Sequence, residues 1–255
     1  MGWHSTGGSD LPAMKFVGLM LFSALGAFCA YWGVVFLSRG EFLTAFAVLV
    51  LGISWFGIAA AGIRTTRGMV TARTEFDKMG TTIRPDRVVD QLSRSVLASA
   101  AVAATLFAVL APAGLLAVPI PRVQRYALPV GAAFVAVLAV VTLWRTIRQG
   151  SLSYIRLTTS GLEFGGGLST KRGDWSAVKA VTDTLPDARN LTASAIIVKL
   201  SDRKVCTVAS TGSYTADENA LRDMVTFYWR HPEARSELTN DAASARLSPS
   251  GFRDN

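Results

Sequence analysis

The imidazole and thiol groups on which most nucleophilic and metal chemistry rests are few in this chain: His4, His231, Cys29 and Cys206. A Ser-His-Asp or Cys-His arrangement would have to draw on His231, with Cys206 as the thiol. His4 stands in a polar N-terminus and Cys29 in an apolar run. Nothing beside Cys206 in sequence would activate it, so both cysteines are expected as buried free thiols. There is no CxxC and no Cys/His cluster, hence neither a zinc site nor a disulfide framework. Gly165-Gly166-Gly167 lacks the Lys-Ser/Thr ending and the helix start of a phosphate loop, and reads as a turn. The expectation is a chain with no catalytic residue, no cofactor and no metal.

Binding chemistry is better represented. Arg64 and Arg67 follow an apolar run, and Lys171 and Arg172 follow the glycine turn. Each such cation contributes about 1 kcal/mol beside an anionic headgroup surface. For Lys171 and Arg172 a pair of solvated turn residues is the plainer reading. Tyr228-Trp229-Arg230 brings together residue types that dominate protein–protein hot spots, and is the candidate partner surface.

The elements that must position these residues are set by charge-free runs. Phe16–Leu37, Phe42–Ile63, Ser95–Pro121 and Tyr126–Trp144 extend for 22, 22, 27 and 19 residues without Asp, Glu, Lys or Arg. At 1.5 Å per helical residue, about 20 apolar residues cross a bilayer. Buried helices of a soluble core would need a polar face, and these runs have none. Four spans, 16–37, 42–63, 95–121 and 126–144, are therefore expected after an N-terminal segment 1–15. None carries an ionisable Asp, Glu, Lys, Arg or His, which argues against an ion or proton pathway of their own. Small residues four apart (Gly26/Ala30, Gly57/Ala61, Ala100/Ala104/Ala108, Ala132/Ala136) favour close helix packing.

Residues 1–149 hold 13 Lys/Arg and 6 Asp/Glu, and residues 150–255 hold 13 and 12, so all but one of the net +8 lies in the half that holds the spans. A nucleic-acid face would concentrate it on the soluble part, and no nucleic acid is expected. The basic loop 64–94 marks the cytoplasmic side, which puts both termini there and predicts a multi-pass plasma (inner) membrane protein. Met69, Ala72, Phe76 and Met79 recur at helical spacing in that loop and predict an amphipathic stalk, with Pro85 opening a second short helix.

After Arg145 the pattern turns to strands. Tyr154-Ile-Arg-Leu alternates and turns at Ser160-Gly161; Lys171–Trp175, Val178–Thr182, Ala195–Leu200 and Lys204–Val208 follow. Thr215-x-x-Glu218 is a capping-box pattern for a helix whose apolar face is Leu221, Met224, Val225 and Tyr228, stopped by Pro232. Trp175 is the expected core residue, and 239–255 reads as a polar disordered tail. Asn190-Leu-Thr192 fits a glycosylation acceptor but faces the cytoplasm in this topology.

The run Tyr154-Ile-Arg-Leu-Thr-Thr-Ser-Gly-Leu162 with Trp175-Ser-Ala-Val-Lys-Ala-Val181, the hairpin and the closing helix resembles bacterial pleckstrin-homology-like (PH-like) domains attached to membrane spans, over about residues 150–230. The layout, with Phe227–Arg235 after the helix, is similar to small actinobacterial membrane proteins. Some of these are lipid-uptake coordinators, accessory to mammalian-cell-entry-type lipid importers. The resemblance implies a binding scaffold, and basic residues near Lys171 and Arg172 are where phosphoinositide-binding relatives hold their ligand. The expected fold is an all-α four-helix membrane bundle plus a β-rich PH-like domain, 150–232, closed by a C-terminal helix. The expected role is a non-enzymatic accessory subunit of a larger membrane complex such as a transport complex, with other integral membrane proteins and membrane lipids as partners. An anionic-lipid-sensing module and a membrane enzyme with an unrecognised site are the alternatives.

Overall fold

The computed structural model describes residues 10–117, 121, 124–166, 169–182, 196–201, 205–208, 211–217 and 219–247. The helices α1 (Asp10–Ser38), α2 (Phe42–Thr66), α3 (Arg87–Leu110) and α4 (Ala127–Gln149) are each long and apolar enough to cross a membrane. Each is followed by a glycine in the left-handed conformation, Gly40, Gly68, Gly114 and Gly150. After α3 the N–H groups of Gly114 and Leu115 return to the carbonyls of Ala111 and Leu110, closing the last turn. This places the end of the third helix at Leu110, where the charge-free run had predicted Pro121. Its start moves from Ser95 to Arg87, because Asp86 accepts hydrogen bonds from the N–H groups of Val88 (2.9 Å) and Val89 (3.2 Å) and caps it.

The chain divides into two compact units: the sequence up to Ile63 with Gln91–Gly150, and Arg64–Asp90 with the sequence from Ser151. In the helical unit, small residues sit where helices approach. A Cβ on Gly33 would lie 2.4 Å from Leu49 Cδ2, and one on Gly57 would lie 2.6 Å from Val96 Cγ2. Phe22 stacks on Trp55 at 5.8 Å between α1 and α2. The buried hydroxyls of Ser54 and Ser99 share a 2.8 Å hydrogen bond from α2 to α3, and Ser99 also reaches the Ser95 carbonyl at 2.8 Å.

The second unit contains two antiparallel sheets. One runs β1 (Arg73–Asp77), β2 (Gly80–Arg84), β3 (Ser153–Thr158), β4 (Gly161–Gly166), β5 (Ser169–Asp174) in spatial order. The other runs β6 (Val178–Thr182), β7 (Ile196–Leu200), β8 (Val205–Val208). The helix α5 (Ala220–Arg230) lays Leu221, Met224, Val225 and Tyr228 into a core with Ile155, Leu157, Ile196 and Val198. Trp175 is buried as expected, its indole N–H donating to the Thr158 carbonyl at 2.8 Å.

Three expectations fail here. Met69–Met79 is not an amphipathic helical stalk: Arg73–Arg84 is a β-hairpin whose second strand pairs with β3, from Gly80↔Thr158 to Ile83↔Ile155, while the helix expected after Pro85 is found as the start of α3 at Arg87. The helical spacing of apolar residues was incidental. The turn Asp77-Lys78-Met79-Gly80 decides, with Asp77 Oδ1 accepting from the N–H of Met79 (2.8 Å) and Gly80 (3.0 Å). The β-rich domain is consequently not 150–232 alone. Nor is the described part of 239–255 disordered. A 3-10 segment Pro232–Thr239 and the short α6 (Ala242–Ala245) bury Leu238 and Ala243 against the core, and Arg246 forms a two-bond ion pair with Glu237 at 2.7 and 2.9 Å. Of the predicted capping box, Glu218 lies outside the described residues; α5 starts at Ala220 behind Asn219, with no side-chain cap bond.

Candidate functional site

The inserted hairpin is fastened by a buried carboxylate pair. Asp86 receives Arg64 through Nε (2.9 Å) and a terminal nitrogen (3.3 Å), and the Thr71 N–H at 3.2 Å. Its own N–H donates to the Ser213 carbonyl at 3.0 Å. Asp90, one helical turn on, takes Arg73 at 3.2 Å and the Leu152 N–H at 2.9 Å. Burial works against ionisation of Asp86, but Arg64 and the three backbone donors outweigh it and hold the carboxyl below the usual carboxylate range. The Arg64–Asp86 and Arg73–Asp90 pairs close the segment 64–90 on itself, and the Asp90 side chain and the Asp86 backbone N–H tie it to Leu152 and Ser213. Sequence reasoning missed Asp86 and Asp90, although an Asp ahead of Arg-Val-Val is a readable cap signal.

That arrangement changes the reading of the lipid-contact candidates. Arg64 is engaged by Asp86 and is part of the fold. Arg172, on edge strand β5, pairs with Glu163 at 2.9 Å, and the Tyr154 hydroxyl donates to the same carboxylate. Glu163 is pushed up by burial but held below its ordinary range by Tyr154 and Arg172. Lys171 is exposed on the same strand and is itself engaged in the fold. Arg67 is exposed just past α2. The structure therefore does not bring Lys171, Arg172, Arg64 and Arg67 into one constellation of available cations.

The partner-surface candidates also separate. Tyr228 is fully buried, its hydroxyl 3.3 Å from Glu237 Oε2; burial first, and then the Glu237 charge, push its pKa up to about 12. It belongs to the core because it continues the Leu221-Met224-Val225 stripe. Trp229 is half-buried and packs on that core, while Arg230 is exposed. Arg235 closes the end of α5: it donates to the carbonyls of Tyr228 (2.9 Å) and Trp229 (3.2 Å), with its guanidinium 5.0 Å from the Trp175 ring centroid. Past the helix end, His231 stacks on Phe227 at 4.6 Å and meets Glu233 at 2.9 Å, and Arg246 lies 3.9 Å over Phe227.

Arg230, His231 and Glu233, with Phe227 stacked on His231, present an aromatic base with mixed charges, while Trp229, about 200° round α5 from Phe227, packs on the other flank of the helix. That base can make stacked and charge-assisted contacts to another polypeptide. His231 has Glu233 as its partner and no nucleophile beside it among the described residues. No group of three or more His, Cys, Asp or Glu side chains is placed to hold a metal ion among the described residues. Cys29 is buried between helices, and the backbone of Cys206 lies in β8. No family model matches this chain, and neither a curated protein nor a solved structure is found to match it.

Proposed function

We propose that the chain is a non-enzymatic accessory subunit that docks onto and steadies a larger complex in the plasma membrane, with a lipid importer as the class of complex. In this reading the soluble unit is PH-like, and it works as a protein-binding module. Two antiparallel sheets closed by an amphipathic helix are compatible with that family, with the hairpin β1–β2 as an addition.

The observation that carries the reading is the exposed apolar surface of α4, to which Val135, Leu138, Val140 and Ile147 also belong. Val130, Phe134, Val137, Val141 and Trp144 are all exposed and recur at spacings of four, three, four and three. That is the seam spacing of two helices packed at a shallow left-handed angle. Trp229 and Arg230 supply the second contact, from the soluble unit. The lipid-sensing alternative draws less support, because Arg64 and Arg172 already hold carboxylates.

Purification of the full chain in mild detergent, with quantitative mass spectrometry of what accompanies it, tests the proposal. Phe134→Ala with Val141→Ala, and separately Trp229→Ala with Arg230→Glu, should each lower partner recovery at least fivefold. Unchanged recovery in both variants would sink the proposal, as would turnover by the pure chain. The proposed orientation has its own test. A membrane-impermeant thiol reagent should label Ser38→Cys in intact cells and Lys78→Cys only after permeabilisation.

A further inference from the structure

α4 carries no charge before Arg145, and Arg148 follows one turn later. The apolar length ahead of Arg145 brings it to headgroup depth if the helix spans the bilayer. The Arg148 guanidinium lies 4.1 Å over the ring of Trp144, which is exposed. An indole with an arginine on its face is the pairing suited to a membrane–water boundary. Residues three apart on a helix are neighbours, so the two guanidinium groups stand on one flank and repel each other. No carboxylate answers them. The sequence holds no Asp or Glu between Asp90 and Glu163, and the helical unit has only Asp10 and Glu41. Neither Arg145 nor Arg148 forms an ion pair among the described residues.

A helix C-terminus can itself hold cations. Here Arg94 takes that role by donating to the Gly150 carbonyl, and the Gly150 N–H closes on the Ile147 carbonyl. Arg148 turns back over Trp144, away from those carbonyls. Arg145 is half-buried with its Nε covered, so its terminal nitrogens are the edge a ligand meets. We propose that Arg145 and Arg148 together bind the phosphodiester of an acidic phospholipid in the leaflet where α4 ends, with Trp144 against the glycerol region. Two guanidinium forks match phosphate oxygens in geometry as well as charge. Lipid is favoured over free phosphate because Val141, exposed one turn below Arg145, continues the site as apolar surface. It is favoured over a partner's carboxylate because headgroup phosphates are densest at this depth. The site therefore needs no partner complex.

The test uses the purified full chain in mild detergent with an equimolar mixture of phosphatidylglycerol and phosphatidylcholine, read by native mass spectrometry. The glycerol lipid should be retained about 25-fold over the choline lipid, a factor of about five for each arginine beside an anionic headgroup. Arg145→Gln and Arg148→Gln should each lower that ratio about fivefold. Arg148 is exposed, so its substitution decides the matter if the Arg145 variant does not fold. Arg125→Gln removes the same charge from an exposed position before the start of α4 and should leave the ratio unchanged. Equal retention of the two lipids would overturn the proposal, as would a ratio unmoved by Arg148→Gln or lowered as far by Arg125→Gln. So would displacement of the lipid by excess inorganic phosphate, which would make this a site for a free anion. An acidic polypeptide photocrosslinked at position 148 in membranes, with no lipid preference in the pure chain, would overturn it too.

Discussion

Asp86 does three things at once: it caps α3, holds Arg64, and takes the Thr71 N–H, with its side chain 7% exposed. Removing one partner of such a buried pair leaves a charged guanidinium without its acceptor. Asp86→Ala should therefore cost about 3 kcal/mol of stability in the β-rich unit, seen as faster hydrogen–deuterium exchange of the β1–β2 amides. The pH dependence follows from the lowered carboxyl. Its contribution is fully present above the unfolded-state value near pH 4 and is lost as the pH falls through the lower folded value. Melts of the intact chain from pH 6 down to pH 3 should show that decline, and Asp86→Asn should flatten it. Tyr228 shows the opposite lesson at the same scale. A Tyr-Trp-Arg run looks like a contact surface, but helical phase points its first member inward, and the burial that raises its pKa makes it a core residue.

At the scale of elements, the hairpin was the least legible part. Met69, Ala72, Phe76 and Met79 fit a 3.6-residue period, yet Thr81 and Ile83 alternate inward, Thr81 donating its hydroxyl to the Leu238 carbonyl at 2.6 Å. Two periods competed over a short segment, and pairing with β3, which is remote in sequence, decided between them. Gly80 is the position that holds the result. It has φ +154°, and a Cβ there would stand 2.1 Å from the Leu157 carbonyl oxygen. Gly80→Ala should destabilise the sheet by at least about 1 kcal/mol, measured as a lower melting temperature with β1–β2 exchanging first. The strands and α5 were readable because alternation and an apolar stripe are local signals. The long helices were readable for the same reason, although their left-handed glycine endings marked the boundaries better than charge did.

At the scale of the whole molecule, the β-rich unit is discontinuous, with Arg64–Asp90 contributing two of the five strands of one sheet. A fragment beginning at Ser151 would leave β3 without its β2 neighbour and Leu152 without the Asp90 carboxylate. We expect that fragment to be unfolded or aggregated by circular dichroism and light scattering. A fusion that places residues 64–90 ahead of it should restore a cooperative melt. A stable monomeric fragment would show that the hairpin is dispensable.

Composition alone determined that four segments of this chain are made for lipid, since unbroken apolar length is a property of neighbours along the chain. It also determined that strands and one amphipathic helix follow them, because periodicity is local as well. Only the tertiary structure decided that a loop between two of those helices supplies strands to the later sheet, and that Tyr228 is interior and Arg64 engaged. Those outcomes depend on contacts between residues far apart in sequence, and no local pattern encodes which distant partner will satisfy a given backbone edge or charge.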